Sequence, residues 1–324
     1  MGRIALLAAC GLASLLASAP ASAQLAAEPA SPASVRYGTP DVIRYRVGAE
    51  ITGRRGVVRD VLLMVAVPFE CPEQAVRIVD EDFTTGVSQV EYRDLQGGVR
   101  QLLIHIPYLP GGAKEHALVT FEVATRPILP PEATDELKIP SRVSGKLKQF
   151  TVGSPYIEAK HRTIRSLAHD VLDEVDADAT DWQKVEAIYD HVMENVEYVE
   201  GPDKSALEAL RDEFADCQGR SALFVALCRA NKIPARMVWV DGHCYPEFYL
   251  EDAAGEGHWY PCESAGTRAF GEMPLARTIL QKGDNFRVPE RPKDRLRYAS
   301  DFMIALPTPG AAKPQTHFIR QQLD

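Results

Sequence analysis

The feature that decides the fold of this chain is a stretch at residues 216–236, which reads DCQGRSALFVALCRANKIPAR. Its apolar positions recur at helical spacing and predict a helix from about Cys217 to Asn231. The helix must end before Ile233 and Pro234, because the residue before a proline is restricted away from helical backbone. Strand-like segments follow near Ala235–Asp241, His243–Leu250 and Gly257–Glu263. Helices followed by adjacent short strands predict an α+β domain with an antiparallel sheet.

Upstream of this stretch, three further segments are predicted to be helical. The first carries apolar residues at helical spacing from Ile164 to Val175. The second begins with a capping box at Thr180–Gln183, in which the threonine hydroxyl and the glutamine side chain can satisfy free backbone donors. A third, short helix is predicted around Ala206–Glu213. The helices and the sheet together predict a domain at about residues 157–271.

The first part of the chain alternates apolar and polar residues, as half-buried β-strands do. Ile43 begins such an alternation, which continues to Ile51. Further strands are predicted at Val57–Val67, Val87–Tyr92, Val99–Ile106 and Ala117–Ala124. Because no helical pattern interrupts these strands, we expect an N-terminal antiparallel β-sandwich at residues 35–126.

Residues 272–324 are predicted to form a C-terminal extension and tail. Leu275–Leu280 is expected to be a short helix and Leu296–Leu306 a strand. The last residues, from Thr308 to Asp324, are expected to be loosely ordered, as chain ends often are.

The N-terminus is typical of a secretion signal. A positive start at Arg3 precedes an apolar run, and the small residues at 21–23 predict cleavage before Gln24. Residues 1–23 are therefore predicted to be a signal peptide, and the mature protein periplasmic or extracellular. A lipobox-like segment ends at Cys10, but too few apolar residues precede that cysteine to favour lipidation. No other segment reaches the ~20 apolar residues of a spanning helix, so no transmembrane segment is expected in the mature chain.

Composition excludes some classes of function. The 324 residues include 36 basic and 45 acidic side chains, and the formal net charge is −9. An acidic chain with no basic stripe is a poor nucleic-acid binder, because Lys and Arg contacts to phosphate supply most of that affinity. The chain also lacks the glycine patterns of phosphate and dinucleotide sites. We therefore expect no nucleic-acid partner and no cofactor.

The residues that could carry chemistry begin with Cys217. A cysteine in the first helical turn meets unpaired backbone N–H groups and the positive end of the helix dipole, which both favour the nucleophilic thiolate. His243 begins a strand and can accept a proton from a thiol and return it to a leaving amine. Glu263 ends the next strand. A turn centred near residue 253 would place it directly beside His243, where a carboxylate can orient the imidazole.

The stretch 216–236 strongly resembles the core motif of the bacterial transglutaminase-like superfamily. That motif is Asp-Cys, then a helix of the form Leu-Phe-Xaa-Ala-Leu-Xaa-Arg-Ala, then Ile-Pro-Ala-Arg. The segment His243–Leu250 resembles the histidine strand of the family, and Trp259–Glu263 resembles its acid strand. The resemblance covers roughly residues 157–271 and implies a papain-like α+β core.

The resemblance also implies a Cys-His-Asp triad, which carries over to Cys217 and His243. Glu263 stands where the family usually has aspartate, and Tyr245 stands where it usually has tryptophan. Neither departure removes a catalytic atom. The longer glutamate requires the geometry of the acid position to adjust.

Two other cysteines lie next to these residues in sequence. In the register assumed above, Cys244 and Cys262 would be direct neighbours on the sheet face opposite the triad. They could form a disulfide or pack as small apolar residues. A zinc site that includes His258 is disfavoured, since the usual ligand spacing is absent. We expect no metal.

These features predict an exported cysteine enzyme that acts on amide bonds through a thioester. Release of the acyl group by water would make it a protease or amidase, whereas release by an amine would make it an acyltransferase. The expected substrate is a peptide or protein, for which cell-envelope peptides are a candidate. The alternative functions are a non-catalytic exported binding module that retains the fold and, in third place, a metal-binding protein.

Overall fold

The structure is a computed structural model that describes residues 31–96, 98–143 and 145–323. The predicted signal peptide and its cleavage site lie outside the described residues. The first part of the chain forms strands β1 (Arg36–Tyr37), β2 (Asp41–Thr52), β3 (Val57–Val67), β4 (Gln74–Phe83), β5 (Gln89–Leu95), β6 (Val99–Pro110), β7 (Lys114–Thr125) and β8 (Ile128–Leu129).

The helices follow, and further strands alternate with them and complete the sheets. A 3-10 helix occupies Gly145–Thr151, and the α-helices are α1 (Arg162–Asp173), α2 (Asp181–Asn195), α3 (Ala206–Asp212) and α4 (Cys217–Ala230). The later strands are β9 (Glu197–Tyr198), β10 (Phe214–Ala215), β11 (Ala235–Val240), β12 (His243–Glu251), β13 (Gly257–Glu263), β14 (Ala269–Phe270), β15 (Ile279–Lys282), β16 (Phe302–Pro307) and β17 (Gln315–Leu323). The predicted order of strands, then helices, then an antiparallel sheet is confirmed.

Two antiparallel sheets pack around the first core. One has the order β17-β2-β7-β4, and the other contains β3, β5, β6 and β16. The alternation in β2 explains the packing, since Tyr45, Val47, Ala49 and Ile51 are almost fully buried. These side chains join a cluster with inward-facing residues of β3, β6 and β7. Alternating apolar residues bury one face of a strand and leave the other toward solvent.

The sheet that contains β12 continues into the first core. Its order is β14-β13-β12-β11-β15-β6-β3-β16, and Gln281 of β15 pairs with Val99 of β6. The division into residues 35–126 and 157–271 stays a prediction, because one sheet runs through both segments.

Helix α4 lies at the centre of the second core. Its residues from Gly219 to Arg229 are all buried, between the other helices and strands β11 and β12. A charged residue in this position needs a partner. Arg229 finds one in Asp284, at 2.6 Å, and also donates to the Ala235 carbonyl oxygen at 2.9 Å. The hydrogen bond to Ala235 holds the end of α4 against β11, and the ion pair holds it against the segment that follows β15.

The C-terminal part of the chain differs most from the predictions. The prediction of a loosely ordered tail is wrong. Strand β17 pairs with β2, from Gln315 opposite Thr52 to Leu323 opposite Arg44. The prediction of a helix at Leu275–Leu280 is also wrong, because residues 275–278 are irregular and β15 begins at Ile279, between β11 and β6. The strand expected at Leu296–Leu306 is shorter and shifted, at Phe302–Pro307. Each of these segments takes its conformation from a distant strand that supplies its hydrogen bonds.

Strand β4 was not predicted. Its sequence QAVRIVDEDF places charged residues on both faces of its second half, so apolar alternation is lost. It pairs with β7 at the edge of the sheet, where charged side chains can remain in water.

No helix in the described part of the chain is long and apolar enough to cross a membrane.

Candidate active site

Cys217 is the first residue of α4, as predicted. The preceding residue, Asp216, is the N-cap, and its carboxylate accepts from the backbone N–H groups of Gln218 at 3.1 Å and Gly219 at 2.9 Å. This cap fixes the start of the helix. Gly219 permits close packing there, because an added Cβ would lie 2.6 Å from the Cβ of Ala215.

His243 and Glu263 meet Cys217 at this helix start. His243 Nε2 donates to Glu263 Oε1 at 2.9 Å, and the imidazole also hydrogen-bonds to the Cys217 side chain. Since Nε2 is engaged by the carboxylate, Nδ1 is the ring nitrogen left for the sulfur. Cys217 and His243 are half-buried, whereas Glu263 is buried. The structure thus brings the three predicted residues together at the start of α4.

The predicted register between the two strands is wrong by two residues. Strands β12 and β13 pair Glu247 with Pro261 and Leu250 with His258, which is symmetric about residue 254 rather than 253. If this register is continued beyond the paired residues, Glu263 lies opposite residue 245. The Glu263 side chain therefore reaches His243 diagonally across the two strands. Diagonal neighbours lie within reach of long side chains. The extra methylene of glutamate suits this longer path.

A tight turn sets that register. Asp252 accepts from the backbone N–H groups of Ala254 at 3.0 Å and Glu256 at 2.9 Å, and Gly255 donates to the Asp252 carbonyl oxygen at 2.9 Å. Side-chain capping by aspartate is a common device in turns. His258 Nε2 lies 3.1 Å from Asp252 Oδ2 and belongs to this turn.

Electrostatics favours a charged sulfur and a charged ring. Hydrogen bonds from Cys244 and His243, with the positive charge of His243, lower the pKa of Cys217 to about 4. Hydrogen bonds to Cys217 and Glu263, with their negative charges, raise the pKa of His243 to about 9 despite its burial. Between these values the pair is a thiolate beside an imidazolium, which is the reactive form of a catalytic cysteine.

The position of Cys244 contradicts the prediction. Its Sγ lies 3.8 Å from Cys217 Sγ, on the active-site side rather than on the opposite sheet face. His243 and Cys244, the first two residues of β12, both contact the Cys217 side chain. Cys262 pairs with Phe270 of β14, and in the observed register it is not the direct cross-strand partner of Cys244. The cysteines of the described residues all carry free thiols.

Sequence reasoning missed a set of supporting hydrogen bonds. Ser221 Oγ and Ser264 Oγ lie 2.6 Å apart, and Ser264 Oγ also donates to the Cys217 carbonyl oxygen at 3.3 Å. The Tyr189 hydroxyl donates to the Glu263 carbonyl oxygen at 2.8 Å. These contacts join α2, α4 and the end of β13. No local pattern could have revealed them, since each joins distant segments.

Two histidines on the helices have structural contacts. His161 is the N-cap of α1, where Nδ1 accepts from the backbone N–H of Thr163 at 3.3 Å. His169 lies 2.7 Å from Asp173, one turn along the helix surface. Within the described residues, no group of three His, Cys, Asp or Glu side chains is arranged to hold a metal ion.

Comparison with known families places this site. Residues 165–264, which contain Cys217, His243 and Glu263, match the sequence model of the transglutaminase-like superfamily. This match identifies residues 165–264 as a transglutaminase-like segment. The predicted family is thereby confirmed, and the transglutaminase-like core corresponds to α1 through β13. No curated protein matches the chain.

The fold is similar to that of a solved structure. A candidate cysteine protease from Cytophaga hutchinsonii is 19% identical and matches over 89% of this chain and 93% of that one, with a TM-score of 0.56. The periplasmic domain of TgpA from Pseudomonas aeruginosa, bound to ethylmercury, is 11% identical over 68% of this chain and 89% of that one, with a TM-score of 0.32. A candidate protease from Parabacteroides distasonis is 11% identical over 75% and 48%, with a TM-score of 0.28. Only the first likeness supports an argument, and it concerns the fold of the transglutaminase-like core and the strands before it.

Proposed function

We propose that the protein is a cysteine enzyme that acts on amide bonds through Cys217, His243 and Glu263. The observation that carries this proposal is the contact of a helix-start thiol with an imidazole whose Nε2 lies 2.9 Å from a buried carboxylate oxygen. Each group supplies one part of acyl transfer, namely a nucleophile, a proton carrier and an orienting charge.

The reaction would run through a thioester. The Cys217 thiolate attacks the amide carbonyl carbon, and the new C–S bond leaves a negative charge on oxygen. Imidazolium at His243 then gives its proton to the leaving amine as the C–N bond breaks. Water or a second amine attacks the thioester while His243 takes back a proton, and the thiolate is released. Glu263 keeps the ring oriented and its charge compensated throughout.

One donor for the oxyanion is available at the helix start. Asp216 caps the N–H groups of Gln218 and Gly219, whereas the Cys217 N–H has no acceptor among the residues that the structure describes. The Cys217 N–H can therefore donate to a substrate carbonyl oxygen bound next to the Cys217 sulfur. An unpaired N–H held rigidly beside the nucleophile stabilises developing negative charge without reorganisation.

A peptide or protein substrate fits the surroundings of the site. Tyr198 pairs with Ala215, just before the nucleophile, and is 44% exposed. Val199 and Phe214 beside it are also exposed, at 38% and 42%. Exposed apolar side chains clustered beside a reactive group are typical of a binding surface. Cell-envelope peptides remain the candidate substrates if the protein is exported.

The test compares turnover and labelling in matched variants. Wild type, Cys217→Ala and the control Cys71→Ala are incubated with a peptide library, with and without a fluorescent primary amine, and products are identified by mass spectrometry. We expect Cys217→Ala to abolish turnover and Cys71→Ala to retain it. Hydrolysis products indicate a protease or amidase, whereas amine adducts indicate an acyltransferase. Full turnover by Cys217→Ala would refute the proposal, and a wild type that binds peptides but never cleaves them would favour the binding module.

We also propose that the protein is exported after removal of residues 1–23. The support is the basic start, the apolar run and the small residues before Gln24. Mass spectrometry of protein purified from its native host should find an N-terminus at or near Gln24. A lipid attached to Cys10, or an intact N-terminus in the cytoplasm, would contradict this.

A further inference from the structure

A second cysteine lies against the proposed nucleophile. The Cys244 thiol donates to Cys217 Sγ across 3.8 Å, and the backbone N–H of Cys244 also hydrogen-bonds to that sulfur. Cys244 is fully buried, on the strand that starts with His243. The Cys217 sulfur thus meets the imidazole on one side and a second thiol on the other.

We propose that Cys244 is a positioning residue whose protonated thiol donates a hydrogen bond to Cys217 and holds it as a thiolate. The proposal deepens the proposed function, on which it rests, because it assigns a source of nucleophile activation besides His243. Cys244 does not touch the substrate in this role and acts only through the sulfur of Cys217.

Burial explains why the two thiols take different protonation states. Cys244 has no access to water, and this burial, followed by its hydrogen bond to Cys217, raises its pKa well above the usual range. Cys217 is half-buried at a helix start, beside a cation. A proton on Cys244 and a charge on Cys217 is therefore the favoured distribution. If the proton were on Cys217 and the negative charge on Cys244, a thiolate would be buried in the core, away from the start of α4.

Other titratable and charged groups also surround the pair. Asp216, the N-cap of α4, and Tyr198 of β9 interact with Cys217, and Glu263 of β13 acts on His243. Arg297, which follows β15, acts on Cys244. Substitution of Cys244 alone leaves all of these groups in place, so a change in the titration of Cys217 measures the contribution of the Cys244 donor.

The experiment follows alkylation of Cys217 by iodoacetamide from pH 3.5 to 10, under reducing conditions, with the modified peptide quantified by mass spectrometry. Cys244→Val and Cys244→Ala lack the donor, Cys244→Ser retains one, and Cys262→Ala is the control for a buried cysteine outside the site. Circular dichroism first establishes which variants are folded. The two donor-free variants replace the thiol by groups of different volume, so that packing and hydrogen bonding can be separated.

We expect the alkylation midpoint of wild type near pH 4. In Cys244→Val and Cys244→Ala it should move upward by at least about one pH unit, a tenfold change in the ionisation constant. Cys244→Ser and Cys262→Ala should stay close to wild type. An unchanged midpoint in the donor-free variants would overturn the proposal, as would an equal shift in Cys244→Ser. Because alkylation needs no substrate, the result is independent of whether amide turnover is found.

Discussion

Replacing Glu263 by glutamine removes one negative charge from the site and keeps its shape. In the native protein, Glu263 Oε1 accepts from His243 Nε2 at 2.9 Å and from the Ala265 N–H at 2.9 Å. The carbonyl oxygen of the glutamine can still accept both hydrogen bonds. The tautomer of the ring is therefore retained, and the substitution measures the contribution of charge.

The size of the effect follows from the burial of the pair. The side chains of His243 and Glu263 are only 12% and 10% exposed, so water screens their interaction weakly. A hydrogen bond to a charged group contributes about 1.5–3 kcal/mol, against about 0.5–1.5 kcal/mol for a neutral one. The loss of about 1–2 kcal/mol in the variant corresponds to roughly 5- to 30-fold in kcat/KM. Cys217→Ala and His243→Ala should cost far more, and the three effects should not add, because the residues act as one unit.

The pH dependence gives a second, independent readout. The proposed mechanism needs the imidazolium form, and the pKa of His243 is about 9, so activity should fall as the pH rises through that value. Without the charge of Glu263 that pKa decreases, and the fall should begin about one pH unit lower. The assay is kcat/KM against pH for wild type, Glu263→Gln and the control Glu256→Gln, an exposed carboxylate on the turn between β12 and β13.

If Glu263→Gln kept full activity and the alkaline limb of its pH–activity profile were unchanged, the assignment of Glu263 as the orienting carboxylate would be refuted. A requirement for Asp241 or Glu247 instead would point to a different acid. The structure argues against Glu247, which lies 2.6 Å from Arg236 and 3.0 Å from Lys282 in a buried ion-pair network. Its loss should therefore lower stability rather than slow a specific step.

Three further predictions concern the framework of the site. Gly219→Ala should lower both stability and turnover, because the new methyl group would lie 2.6 Å from the Cβ of Ala215 in β10; urea unfolding and kinetics measure the two losses. Asp284→Ala should cost about 3–5 kcal/mol of unfolding free energy, since it leaves Arg229 buried without its charge partner, whereas Glu186→Ala, in a surface ion pair, should cost about 0–1 kcal/mol. Deletion of residues 312–324 should lower the melting temperature and promote aggregation, because it removes β17 and exposes an edge of β2; an unchanged melting curve would contradict this.

Local patterns determined much of this protein before any tertiary information. Helix α4, its start at Cys217 and its end before Pro234 follow from helical spacing and from backbone restrictions near proline. The capping box at Thr180 forms as predicted, and β2 buries the predicted face. These features depend on residues within a few positions of one another, so the sequence specifies them directly. The triad candidates were found in the same way, as residue types at suitable places on predicted elements.

Tertiary structure decided what depends on contacts between distant segments. The diagonal approach of Glu263 to His243 results from one turn geometry, which alternation along a strand cannot specify. The contact of Cys244 with Cys217 depends on how α4 lies across β12. Strand β17 forms only because β2 offers it an edge. A strand makes its ladder hydrogen bonds only to neighbouring strands chosen by the whole fold, whereas a helix satisfies most of its own. This difference separates what the sequence alone could predict from what required the fold.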